Sequence, residues 1–466
     1  MPDISLDGRN VVVMGLGRFG GGLGVTRWLA GQGARVLVTD LEPADRLAEP
    51  LAELDPLVRA GRVRLRLGGH EESDFASADL VVANPAVPRP WENRFLEAAR
   101  RAGVPLTTEI GLTVAQLGER RRTIGVTGSV GKSTTTAMIA WALEQTGHRV
   151  AAGGNLGGSL LGHGIADDAW VVLELSSAML YWLGRGGGWS PHIAVVTNLS
   201  PNHLDWHQSA EHYAASKQNL LRFQKPGDAA VLGPGLGDWA ALMPATPAVP
   251  DTRLVPPRLA VPGAHNRLNA AAALAACRLA APQASPAGLA AAIAAFPGLP
   301  HRLELVAEAD GVRFYNDSKS TTPESALRAI EAVCDLPGVA RHNVHLIAGG
   351  YDKKIDLSPL ARAARGLGGL YTLGEVGEAL ARGAEQPAAY HATLEASVAA
   401  AMPRLRPGDV LLLSPGCASW DQFTNFEARG TLFVRLVRGY VWPCPSRSRD
   451  PAGGSSSSPP LASCPG

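Results

Sequence analysis

The chain has 466 residues, 46% of them hydrophobic and 18% charged, which is too long for one ordinary core and too apolar for wholesale disorder. Lys plus Arg number 43 against 42 Asp plus Glu, a formal net charge of +1, so no field of one sign recruits nucleic acid or an anionic membrane. The 5 cysteines are scattered without C-x-x-C spacing, which argues against a disulfide framework or zinc site and fits a reducing cytoplasm.

The N-terminus, MPDISLDGRNVVVMG, is acidic and runs into a strand, so no signal peptide is expected. In the first third, buried strands are predicted at NVVVMG (10–15), RVLVTD (35–40) and DLVVAN (79–84). Their unbroken Val/Leu runs are those of parallel strands covered on both faces. GLGRFG (15–20) follows the first strand and Asp40 closes the second, the spacing of a turn for a pyrophosphate with an acid for a ribose hydroxyl. NAD is one ligand of that description and a UDP group another; a plain Gly-rich turn gives the same letters.

GERRR (118–122) interrupts the pattern and marks a boundary. Strands follow at RTIGVTG (122–128), WVVLELSS (170–177) and HIAVVTN (192–198). Between the first of these and a helical pattern lies TGSVGKSTTT (127–136). Gly128 and Gly131 let the backbone approach phosphate, Lys132 reaches the β- and γ-phosphates, and the Ser133 hydroxyl suits magnesium. This is the compact G-x-x-G-K-S form, with Val126 where the longer pattern has glycine. A chance Gly-Lys-Ser turn is the competing reading, and the strand–loop–helix setting argues against it. Glu174 ends its strand where parallel sheets place ligands, and His203 and Asp205 lie on the loop after the next strand; both are candidates for metal or catalysis. Lys217, on AEHYAASKQNLLRF, reads from spacing alone as a solvated lysine. The Ala-rich stretch 268–276 is far too short to span a bilayer.

Prolines in AAFPGLPHR mark the second boundary, near 297–300. Strands are predicted at VRFYNDS (312–318), NVHLIAGG (343–350), LYTLGE (370–375) and DVLLLSPG (409–416), with Asn316, Asp317, Ser318 and Lys319 as a second ligand edge and Arg302 at the entrance, where a phosphate contact and a surface ion pair are both open readings. The expected division is 1–117, 118–298 and 299–440, with a Pro/Ser/Gly-rich disordered tail over 441–466.

These blocks together, with GGNLG (153–157), ELSS (174–177), NHLD (202–205), GAHNRLN (263–269), LPHR (299–302), YNDSKSTTP (315–323), AGGYDKKIDL (348–357) and LLLSPGCASWDQFTNFEARG (411–430), resemble the Mur ligase family over residues 5–438, and most of all its D-glutamate-adding branch. The resemblance implies an α/β fold of three domains: a Rossmann-like N-terminal domain for a UDP-linked substrate, a P-loop ATPase-like central domain, and a Rossmann-like C-terminal domain for the amino acid. It implies ATP, Mg2+ as two ions, and CO2 held as a lysine carbamate, with UDP-N-acetylmuramoyl-L-alanine and D-glutamate as substrates of a cytoplasmic monomer. Residue by residue, Gly128, Ser129, Gly131, Lys132, Ser133, Thr134, Asn266, Asn269, Arg302, Asp317 and Lys319 would meet ATP. Ser133, Glu174, His203 and carbamylated Lys217 would hold metal, and Lys132, His203 and Lys217 would be catalytic. Leu16, Gly17, Asp40 and Asn155 would meet the UDP substrate, and Thr321, Lys353, Ser419 and Phe426 D-glutamate. Two departures bear on single polar contacts: Val130 stands where the family often has Asn, and Met179 where it has Gln. The rivals are another Mur-type ligase or a folylpolyglutamate synthase, an NAD-dependent oxidoreductase resting on GLGRFG, and a regulatory ATP-binding module without ligase chemistry.

Overall fold

The computed structural model describes residues 5–17, 21–118, 122–185, 187–384 and 388–441. The expected tail, apart from Val441, lies outside them, as do the last three residues of GLGRFG and the middle of GERRR.

Among the described residues sixteen strands form three sheets. The first holds β1 (Asn10–Met14), β2 (Arg35–Asp40), β3 (Val63–Leu67), β4 (Leu80–Ala83) and β5 (Leu106–Thr107) in the order β3-β2-β1-β4-β5, all parallel. The second holds β6 (Thr123–Thr127), β7 (Val150–Gly154), β8 (Trp170–Glu174), β9 (Ile193–Val196) and β10 (Ala229–Leu232) in the order β10-β9-β6-β8-β7, again parallel. The third holds β11 (Glu304–Ala309), β12 (Val312–Asn316), β13 (Val344–Gly349), β14 (Gly369–Leu373), β15 (Ala388–Tyr390) and β16 (Val410–Leu413) in the order β11-β12-β16-β13-β14-β15. In each case the chain starts centrally or returns to the centre, so neighbouring strands send their following loops opposite ways and open a crevice at their carboxyl ends.

The runs that alternated least in sequence are buried throughout: β4, β6, β8, β9, β12, β13, β14 and β16 have no exposed position. The chain divides into two compact units. One spans Met1–Leu305 with Arg328–Val339; the other spans Val306–Leu327 with Ala340–Gly466. The first contains both five-stranded sheets, and they share a core: Val12, Met14, Val81 and Ala83 of the first sheet pack in one cluster with Tyr181, Trp182 and Trp206 from beside the second. The Ala-rich stretch is the middle of a buried helix, Ala264–Ala280. Among the described residues no helix is long and apolar enough to cross a membrane.

Candidate functional site

The loop after β6 is built so that only glycine serves at two positions. Gly131 caps the helix Lys132–Gln145 with φ +83°, and a Cβ there would strike Asn269 Oδ1; Gly128 has φ +149°, and its Cβ would strike Thr197 Oγ1. The loop is therefore pressed against Asn269, which donates from Nδ2 to Asn266 Oδ1 at 3.2 Å, so the structure brings both asparagines to it. Ser129 spends its hydroxyl within the fold, on Ser200 O at 2.8 Å and the Tyr213 hydroxyl at 3.0 Å, and its N–H on Asn198 O at 3.1 Å. Val130 is 61% exposed. Its N–H donates to Asn198 Oδ1 and its carbonyl accepts from Thr197 Oγ1, so the departure from Asn leaves the loop's bracing intact.

Two lysines and one carboxylate gather under this loop. Lys132 Nζ donates to the carbonyls of Gly128 and Ser129, both at 3.0 Å. Lys217, 1% exposed, donates to Gly128 O at 2.9 Å and Thr127 Oγ1 at 3.2 Å and lies 4.7 Å over the Tyr213 ring. Burial, then the neighbouring Lys132 cation, push the Lys217 pKa down to about 7, with Glu174 partly opposing. Lys132 is lowered too, by burial first and also by Arg302, while Glu174 raises it. Glu174 is 1% exposed; Oε1 accepts from Asn155 Nδ2 at 2.8 Å, and Oε2 is buried without a hydrogen-bond partner. A buried, orphaned carboxylate oxygen is what a hard divalent cation satisfies. The spacing-based expectation of a solvated Lys217 is thus wrong. Tyr213, Ser216, Lys217, Leu220 and Leu221 form the buried stripe of the helix Ala210–Arg222, an i, i+3, i+4, i+7, i+8 pattern that was there to be read.

His203 is placed differently. It is exposed, at φ +52°, and its N–H donates to Asn202 Oδ1 at 2.8 Å; Asp205 is exposed beside it. Among the described residues no hydrogen bond or ion pair joins His203 to Glu174 or Lys217, and no three His, Cys, Asp or Glu side chains gather as a metal set. The histidine that sequence reasoning passed over is His207. It is buried, with Nε2 2.8 Å from Ser177 Oγ and Nδ1 3.0 Å from His212 Nδ1, and burial takes its pKa down to about 4.

A cleft of about 440 Å³ opens between the loops of the first two sheets, lined by Gly15, Leu16, Gly17, Asn84, Glu109, Asn155, Ser159, Ser176 and Met179 among others. Asp40 braces its glycine turn: Oδ2 accepts from the N–H groups of Leu16 at 2.8 Å and Gly17 at 3.2 Å, and Oδ1 from Glu42 N–H at 2.9 Å. Met179 gives the cleft an apolar surface. Glu109, unremarked in the sequence, accepts from Ser159 at 2.5 Å and Thr113 at 2.9 Å, and burial raises its pKa despite those bonds.

In the second unit, Asp317 is buried and its Oδ2 accepts from Ser414 Oγ at 2.8 Å; Lys319 lies 5.4 Å over the Phe426 ring. Thr321 and Lys353 share a small pocket with Tyr351 and Cys417, and Lys353 lies 5.3 Å over the exposed Trp420 ring. Ser419 is buried.

Three family models match the chain: a Mur ligase MurD-like N-terminal domain over residues 9–108, a Mur ligase middle domain over 126–234, and a Mur ligase glutamate ligase domain over 301–417. Curated relatives described as UDP-N-acetylmuramoylalanine–D-glutamate ligase include those of Acidobacterium capsulatum (34% identical, over 93% of this chain and 97% of that one), Pelotomaculum thermopropionicum (36%, 92% and 97%) and Anaeromyxobacter dehalogenans (39%, 93% and 98%). Among solved structures, the UDP-N-acetylmuramate-alanine ligase of Thermotoga maritima matches with TM-score 0.55 at 19% identity, over 93% of this chain and all of that one, a likeness of fold.

Proposed function

The chain belongs to the Mur ligase family, and from that premise we propose that it is the ligase that joins D-glutamate to UDP-N-acetylmuramoyl-L-alanine, with ATP converted to ADP and phosphate, in the making of peptidoglycan precursor. The observation that carries the chemistry is the cluster of Lys132, Lys217 and Glu174 beneath the glycine loop. The acceptor amino acid follows from the relatives' activity.

The precursor's alanyl carboxylate attacks the γ-phosphorus of ATP; the bond to ADP breaks and an acyl phosphate forms. The D-glutamate amine then attacks the acyl carbon, phosphate leaves, and an amide remains. Backbone N–H groups over Gly131–Thr134, at the start of the helix, and the Lys132 ammonium offset charge on the transferring phosphoryl group, with Gly128 and Ser129 shaping the loop around it. Asn266, Asn269, Arg302, Asp317 and Lys319 hold the nucleotide in this reading. Leu16, Gly17 and Asn155 line the precursor's cleft, with Asp40 acting through the turn it braces. Thr321, Lys353, Ser419 and Phe426 surround D-glutamate.

Magnesium, as two ions, would be held by Ser133, Glu174, His203 and Lys217, and when bound it neutralises phosphate charge; the orphaned Glu174 oxygen supports this. A Lys217 ammonium would oppose a cation there. With a pKa near 7 much of it is a neutral amine at neutral pH, able to add to CO2: an N–C bond forms, one proton leaves, and the neutral amine becomes an anionic carbamate that can serve as an oxygen ligand. Residues 1–117, 118–298 and 299–440 are the three functional divisions of this reading. The enzyme acts as a cytoplasmic monomer with small-molecule partners only; a sedimentation measurement tests the monomer.

Phosphate release measured with UDP-N-acetylmuramoyl-L-alanine and D-glutamate, each omitted in turn, tests the whole. Release requiring both is expected. Release indifferent to D-glutamate would refute the assignment.

A further inference from the structure

The central strands β12, β16 and β13 of the second unit lie side by side, and the loops after them carry the residues assigned above to nucleotide and amino acid: Asp317, Lys319 and Thr321, then Ser419, then Lys353. Beneath these loops is a side chain to which neither the family resemblance nor the mechanism gave a role. Arg429, on the helix Phe426–Val441, is fully buried. Its Nε donates to Ser318 Oγ at 3.0 Å, Nη2 to Ser318 O at 2.8 Å and Cys417 O at 3.1 Å, and Nη1 to Ala418 O at 3.2 Å.

We propose that Arg429 is a positioning residue that pins these three loops in register and adds a positive charge, which the nearby Asp421 carboxylate offsets without forming an ion pair to it, beneath the amino-acid pocket, favouring a dianionic amino acid. The inference rests on the D-glutamate reading of that pocket. The first two loops are bonded to the guanidinium directly. The third is tied through Ala418, whose carbonyl also accepts from Tyr351 N–H at 2.9 Å, and Gly350 is so close that a Cβ there would run into Ala418 O and lie 3.2 Å from Arg429 Nη1. Ser318 relays the hold, its hydroxyl donating to Phe426 O at 2.8 Å.

Every partner of the guanidinium is a carbonyl or hydroxyl; among the described residues no carboxylate forms an ion pair with it. Burial lowers its pKa only to about 10, so at neutral pH it stays a cation. A fork of N–H donors in fixed geometry suits several diverging carbonyls in a way a lysine does not.

The test compares full-length wild type with Arg429→Lys, Arg429→Met and Ser318→Ala, by Tm and by the KM of each substrate. We expect the KM for D-glutamate to rise about tenfold or more in Arg429→Met, less in Arg429→Lys, and a few-fold in Ser318→Ala, as for lost hydrogen bonds to a charged group. The KM for the UDP-linked precursor, assigned to the first unit, should hold. If Arg429→Met fails to fold, Arg429→Lys and Ser318→Ala carry the test. A fall in kcat with the D-glutamate KM unchanged in both would reduce Arg429 to a structural support and overturn the proposal. A wild type that turns over without D-glutamate would sink the function above instead.

Discussion

Lys217 is the residue on which the chemistry turns, because its environment is costly for an ammonium. It is enclosed, faces the Lys132 cation, and is compensated only in part by Glu174. Lys217→Ala should lose about a thousandfold or more in kcat, the scale for removing a preorganised charge at a phosphoryl-transfer site, and acetate or formate should restore part of it. A variant that keeps native rates, or one that no small carboxylate revives, would sink the carbamate. The pH dependence has a definite sign. Only the neutral amine takes up CO2, so at fixed dissolved CO2 the wild type should need more of it for half-maximal activity as pH falls below about 7. In CO2-free buffer the unfolded lysine keeps its proton to about pH 10.4 while the folded one releases it near 7. Stability should therefore rise with pH through that window in wild type more than in Lys217→Met, and parallel Tm profiles would show that Lys217 is not so placed. Lys132→Ala should likewise lose at least about a hundredfold in kcat with Tm little changed; near-native turnover at saturating ATP would remove the loop from the mechanism. Lys132 was legible from its motif alone. Arg429, His207 and Glu109 were not, because each earns attention through a partner 30 to 111 positions away or through burial that no local pattern announces.

At the scale of elements, the glycine loop is a strand end, a turn and a helix start whose shape depends on two absent side chains. Gly131→Ala would force φ +83° on a residue with a Cβ and push that Cβ into Asn269. A cost of about 1–3 kcal/mol is expected from the strained backbone, and displacement of Asn269 should raise the KM for ATP. Denaturant titration with nucleotide binding checks both, and unchanged ATP affinity would show that the loop adapts. The strands that position the loops were those the sequence announced, most of them through an apolar run buried on both faces, although β6 (TIGVT) and β12 (VRFYN) are not Val/Leu-rich. The strands it concealed are β3, β5, β7, β10, β11 and β15, and three of them have plain physical reasons to hide. β3 is VRLRL, an edge strand with three exposed positions; β7 is VAAGG, with little β-propensity; β15 is AAY, three residues long. His203 shows the same limit in the site. The family resemblance assigned it a metal, but its position relative to Glu174 is set by the loop after β9, which follows no periodic pattern.

For the molecule as a whole, the first two sheets belong to one compact unit, and an aromatic seam packs between them. Trp91, on the loop after β4, lies 5.4 Å from Tyr181, 5.5 Å from Trp206 and 4.7 Å from His212, and beside it Gln208 Nε2 donates to Glu92 at 2.9 Å. The precursor's cleft is lined from both sides of this junction, by Gly15, Leu16 and Asn84 on one side and Asn155, Ser159 and Ser176 on the other. Holding the sheets together therefore holds the cleft open at a fixed width, and its shape is paid for once, on folding, rather than at each binding event. Trp91→Ala should cost about 2 kcal/mol, below the roughly 3–5 of a fully buried aromatic because Trp91 is only half-buried. More tellingly, it should raise the KM for the UDP-linked precursor while leaving that for D-glutamate unchanged, since D-glutamate is assigned to the other unit. Trp91→Phe, which keeps a ring in the seam, should recover most of both. If Trp91→Ala destabilises the fold by that amount and the precursor KM does not move, the seam is a piece of core and the cleft takes its shape from elsewhere.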